Sequence, residues 1–162
     1  MSLKAQLQSA LANLAPFADG SHSMAADACN QHLATELIAL DALALSFDHL
    51  TLTSGSLATA SLDQLKKVSD SLSKRLTYLL EPISPIEVDA DQCVVQLRSN
   101  PPQRDDNGTR YYELLVRRGG EISLRRFQKQ PGGVREKIPA QVTREVPVKR
   151  RAVQRCLAAT RQ

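Results

Sequence analysis

Pro82 and Pro85 divide this chain where its hydrophobic period changes, and that change constrains the fold more than any motif in it. Proline removes a backbone donor and clashes inside a helix, so no regular helix runs through the pair. Before it, apolar residues recur at intervals of three and four; after it, they alternate with polar ones.

In the first part, Leu3, Leu7, Ala10, Leu11 and Leu14 share one face of a helix that Pro16 must end. Asp19-Gly20-Ser21 reads as a turn, after which Ser21 or Ser23 caps a second helix carrying Leu33, Leu37, Leu40, Ala44 and Phe47. Thr53-Ser54-Gly55-Ser56 breaks that pattern. Ser61 and Gln64 have the form of a capping box that opens a third helix. Its stripe is Leu62, Leu65, Leu72, Leu76 and Leu79, with Ser69 the one gap. Two successive leucine-striped helices predict an antiparallel helical hairpin, its seam buried internally or against a protein partner such as a second copy.

In the second part, Ile86, Val88 and Ala90 alternate with Glu87, Asp89 and Asp91, and Cys93 to Leu97 continue as a strand. Pro101-Pro102 and Asp105-Asp106-Asn107-Gly108 form a polar connection. Tyr111 to Arg118 and Glu121 to Lys129 flank Gly119-Gly120, whose glycines suit a two-residue turn with positive φ. That turn pairs Arg118 with Glu121, Val116 with Ser123, Leu115 with Leu124, Glu113 with Arg126 and Tyr112 with Phe127. Pro139 then opens a short helix to about Val146, and a basic helical segment with Val153 and Leu157 on one face follows Pro147. The expected class is therefore α+β. It comprises about three N-terminal helices including the hairpin, a small antiparallel sheet with a β-hairpin, and a short C-terminal helical segment. Residues 1–81 form a helical region and 82–162 a basic, β-rich one; at 162 residues the two also fit within a single domain.

Charge follows the same division. Residues 1–80 hold 5 Lys/Arg against 7 Asp/Glu, a net of −2, while 81–162 hold 16 against 10, a net of +6. Three scattered cysteines, Cys29, Cys93 and Cys156, do not form a disulfide framework or a CxxC site, which points to a reducing, cytoplasmic setting. Polar residues interrupt the first 20 at helical spacing, so a signal peptide is not expected. The most apolar run, Leu37 to Leu45, contains Asp41 and is far short of the roughly 20 residues that cross a bilayer, so no membrane anchor is expected.

Candidate chemistry is sparse. Cys29, His32 and Glu36 fall on one face of the expected second helix, yet no second ligand pair accompanies them, and a polar helix face accounts for them. As a Cys–His pair they lack an orienting third group. Glu87, Asp89 and Asp91 are accounted for as the wet side of an amphipathic strand, and Asp105 to Gly108 as a turn. No phosphate-binding glycine loop, dinucleotide fingerprint or nucleophile elbow is present. Neither a metal, a cofactor nor a set of catalytic residues is expected.

The basic hairpin is the best functional hint. Arg110, Arg117, Arg118, Arg125, Arg126 and Lys129 interleave with Tyr111, Tyr112 and Phe127, a combination that holds phosphates while stacking bases, and Lys149, Arg150 and Arg151 extend the charge. Solvated charge and aromatic core account for the same residues, and no RNA-recognition signature is present. Three functions remain in order of preference: a non-enzymatic binding or adaptor protein acting through the helical half; a nucleic-acid or other polyanion binder acting through the basic half; and an enzyme whose site assembles only in three dimensions.

Overall fold

Leu33 and Leu37 are four residues apart, a spacing that suits a helix and a strand equally, and the structure resolves it to a strand. The computed structural model describes residues 2–77, 79 and 81–143. In chain order its elements are α1 (Leu3–Ala12), β1 (His22–Ala28), β2 (Gln31–Leu40), β3 (Ala44–Ser54), α2 (Leu62–Arg75), β4 (Ile83–Asp89), β5 (Val94–Ser99), β6 (Gln103–Asp105), β7 (Gly108–Arg117), β8 (Glu121–Lys129), β9 (Glu136–Ile138) and β10 (Ala140–Thr143), with a single 3-10 turn at Gly55–Leu57.

The expected helical first half is thereby corrected. Among the described residues two helices stand against ten strands, and all ten strands belong to one antiparallel sheet rather than a small one. Its main path runs β1-β2-β3-β8-β7-β5-β4, with β10 on β3, β9 on β8 and β6 on β7. The second expected helix is the β1–β2–β3 meander. Cys29 and Asn30, with φ of 52° and 63°, form the two-residue turn between β1 and β2, the left-handed pair that a tight hairpin requires. Asp41 Oδ1 accepts from the amides of Leu43 and Ala44, each at 2.7 Å, and closes the next turn. The odd intervals that suggested a helix fall at irregularities: the β2–β3 register shifts on both sides of Leu37, which lets Leu33, Leu37 and Leu40 all bury. In place of the short helix expected after Pro139, Ala140–Thr143 is strand β10 along β3, and the rest of that expected helix lies outside the described residues. The segment with Lys149, Arg150, Arg151, Val153 and Leu157 lies outside the described residues.

The first and third expected helices exist as α1 and α2. Ser61 and Gln64 form both arms of the capping box, with Ser61 N donating to Gln64 Oε1 at 2.8 Å and Gln64 N to Ser61 Oγ at 3.3 Å. Ser69, fully buried in the α2 stripe, returns its hydroxyl to Leu65 O at 2.8 Å and so buries no unmet donor.

The main hairpin forms, with its register shifted by one residue. The loop spans Arg118, Gly119 and Gly120, and Leu114 pairs with Leu124, Glu113 with Arg125, and Tyr111 with Phe127. A one-residue slip exchanges the faces of a strand. The observed choice puts Tyr112, Leu114, Val116, Ile122 and Leu124 together on the core side, where all five are buried. One buried cluster includes residues of both helices and of most of the sheet, and both helices pack on this side of it. Among the described residues no helix is long and apolar enough to cross a membrane.

Candidate functional site

A cavity of about 150 Å³ lies between the sheet and the helices. Its floor comes from β2 and β3 (Leu33, Leu37, Leu45, Phe47, Leu50 and Leu52) and from the central hairpin (Leu114, Ile122 and Leu124). Leu3, Leu7 and Leu11 of α1 and Leu72, Leu76 and Leu79 in and after α2 form its walls, and Met24 of β1 and Val142 of β10 complete them. Of the expected helical seam, Leu33, Leu37, Phe47, Leu72, Leu76 and Leu79 line this space, whereas Leu40, Ala44, Leu62 and Leu65 do not. Apart from Lys4 and Thr35 every lining side chain is apolar, and the Thr35 hydroxyl donates to His49 O at 2.8 Å. Such a space repels water, because a buried water needs two to four polar partners.

Lys4 is the one ionisable residue on this lining. It is half-buried on α1, one residue from Leu3 and three from Leu7, at the margin where the apolar stripe meets solvent. No carboxylate pairs with it among the described residues.

The opposite face of the sheet carries a second constellation. Tyr111 and Phe127 stack with centroids 5.9 Å apart, Arg98 lies 4.9 Å over the Tyr111 ring, and Arg135 lies 4.1 Å over Phe127. Buried Glu113 accepts from Gln96 at 2.7 Å and from Arg135 at 2.6 Å, and Arg98 Nε stands 3.5 Å away. Hydrogen bonds to Tyr111 and Glu113 push the Arg135 pKa above its ordinary value. Beside this group, burial opposes ionisation of Asp48, but hydrogen bonds from Lys137 at 2.6 Å and His49 at 3.0 Å outweigh it and lower its pKa.

The hairpin's basic residues are divided rather than assembled. By strand alternation Arg110 and Arg126 lie on the helix-bearing face, and Arg117, Arg125 and Lys129 on the other. Arg110 pairs with Asp105 at 3.6 Å and Arg117 with Glu121 at 3.8 Å. Arg126 is taken into a near-buried pair with Glu81 at 3.0 Å and covers the Tyr112 ring at 4.3 Å. Burial raises the Tyr112 pKa, partly offset by that guanidinium. Arg118 occupies the turn; Lys149, Arg150 and Arg151 lie outside the described residues.

Cys29, His32 and Glu36 do not share a helix face: Cys29 is in the β1–β2 turn, His32 Nδ1 meets Asp27 Oδ1 at 2.6 Å, and Glu36 accepts from Ser23, which helps lower its pKa. Among the described residues no three His, Cys, Asp or Glu side chains cluster as metal ligands do. Glu87 and Asp89 are exposed on β4, with Asp89 accepting from Gln92 N at 3.0 Å.

Sequence reasoning passed over Lys4, Arg98, Arg135 and Lys137. For Lys4 a signal existed, a cation set into the leucine stripe of the first helix. For the others the pairing is between strands distant in sequence, which no local pattern reports. The chain matches no family model, no curated protein and no solved structure.

Proposed function

We propose that this is a non-enzymatic binding protein that takes up a small apolar molecule between its sheet and helices α1 and α2. The observation that carries this reading is the cavity of about 150 Å³ with a lining that is apolar except at Lys4 and Thr35. That is about the size at which a leucine-lined cavity binds a six-carbon ring. Occupancy returns the dispersion contacts that the empty space forfeits. Cys29 and Cys93 are both free thiols, which fits the reducing, cytoplasmic setting that we attach to this role.

A methyl-resolved NMR titration with 1-octanol tests it. Saturable shifts of Leu37, Leu50 and Leu124 methyls at one equivalent per chain are expected. Shifts that never saturate, or that map to the exposed Leu43 and Val134 instead, contradict it.

A second reading, contact with nucleic acid or another polyanion on the open sheet face, is favoured by one observation. Arg125 and Lys129 are exposed there, have no ion-pair partner among the described residues, and flank the Tyr111–Phe127 stack. Binding of labelled single-stranded nucleic acid that weakens at least about sevenfold between about 50 and 200 mM salt, the change that two phosphate contacts produce, supports it. Absence of binding at the lower salt assigns these side chains to solvation.

A further inference from the structure

We propose that the ligand of the cavity is a medium-chain monocarboxylate, its alkyl chain among the leucines and its carboxylate on the ammonium of Lys4. This rests on the cavity being a binding site and adds the chemistry of the ligand's head. Thr35 presents no spare donor to the cavity, since its hydroxyl is spent on His49 O. Neighbouring polar groups of α1 are also engaged. The Gln6 amide pairs with the outward-facing N–H and C=O of Asp27, and Ser2 Oγ caps Ala5 N at 3.1 Å. Lys4 is thus the polar group on this lining with donors to spare.

The stability of α1 does not call for a cation at this position. The helix contains no carboxylate to pair with it, and a positive charge in the first turn opposes the helix macrodipole. A half-buried lysine beside an apolar cavity complements one class of small molecule, an apolar body with a single anionic end. The volume limits that body to about six to eight carbons, judged against a leucine-lined cavity that holds a six-carbon ring. Two negative charges do not fit, because one cation is on offer.

Titrations of octanoate and 1-octanol into the full chain and into Lys4→Met, at pH 7 and low salt, separate the claims. Octanoate is expected to bind the unaltered chain about three- to tenfold more tightly than it binds Lys4→Met, the range for a partly exposed charged hydrogen bond. Octanol should bind both alike, and Lys4→Arg should retain most of the octanoate preference. If octanoate affinity changes less than about twofold in Lys4→Met while octanol still saturates both proteins, the head-group assignment falls and the apolar site stands. If neither ligand binds either protein, both fall.

Discussion

Glu81 and Arg126 are each only 12% exposed along their side chains, and their contact at 3.0 Å is the least solvated ion pair described. Glu81 also accepts from the Ser99 hydroxyl, whose oxygen in turn accepts from Tyr112 N at 2.8 Å, so one carboxylate links the segment before β4 to β5, β7 and β8. Removing one partner strands the other charge, which costs far more than the pair itself contributes. Glu81→Ala is therefore expected to lower stability by about 3 kcal/mol in urea denaturation, and a loss under about 1 kcal/mol would show that the pair is solvated. Asp48 and Lys137 present the opposite case. Lys137 is 39% exposed, so Lys137→Met should cost less than about 1 kcal/mol. Its pH dependence is more informative. Asp48 titrates below its ordinary 3.8 in the folded chain, so as pH falls the unfolded chain takes up the proton first. The stabilisation is complete above that value and disappears as pH drops through the folded pKa. Acid titrations of the two proteins should therefore converge at low pH, whereas a constant gap would mean that Lys137 acts through packing.

Among the elements, the β7–β8 loop gives the sharpest test. Gly119 and Gly120 have similar positive φ, 87° and 84°, yet different surroundings: a Cβ on Gly119 meets nothing within 4 Å, and one on Gly120 overlaps the Ser54 carbonyl oxygen. Gly119→Ala should carry only the conformational cost, about 1 kcal/mol, and Gly120→Ala at least about 1 kcal/mol more. Equal losses would contradict the approach of this loop to the end of β3, where Ser54 N donates to Gly120 O at 3.0 Å. This hairpin was legible because two glycines between alternating runs have few other uses. Its register was not, because cross-strand charge and aromatic pairs occur in either alignment, and what selects one is the burial of Leu114 and Val116 under helices that no hairpin pattern contains. The α2 capping box was legible for the same local reason. The β1–β3 meander was hidden by intervals of four, which serve both periods, and by bulges that supply the intervals of three. Of the candidate site, the leucines could be read as buried; that they enclose a space could not, since volume is a property of elements packed together.

On the scale of the whole molecule, β3 of the first half pairs with β8 of the second, so one sheet carries both the cavity and the polar face behind it. The cavity touches α1, α2, strands β1, β2 and β3 of the sheet's first half and the central hairpin, and its occupancy should therefore report on global stability. Urea denaturation of the unaltered chain and of Leu50→Phe, each with and without saturating octanol, decides whether the cavity is a binding site. Leu50 is a half-buried lining residue, and a ring there grows into the space. With a usable cavity, octanol stabilises the unaltered chain, while Leu50→Phe is as stable as that chain or more so without ligand and does not respond to it. If instead octanol leaves the unaltered chain unchanged and Leu50→Phe loses the roughly 1 to 3 kcal/mol of an overpacked core, there is no space to fill, and the proposed binding site is contradicted.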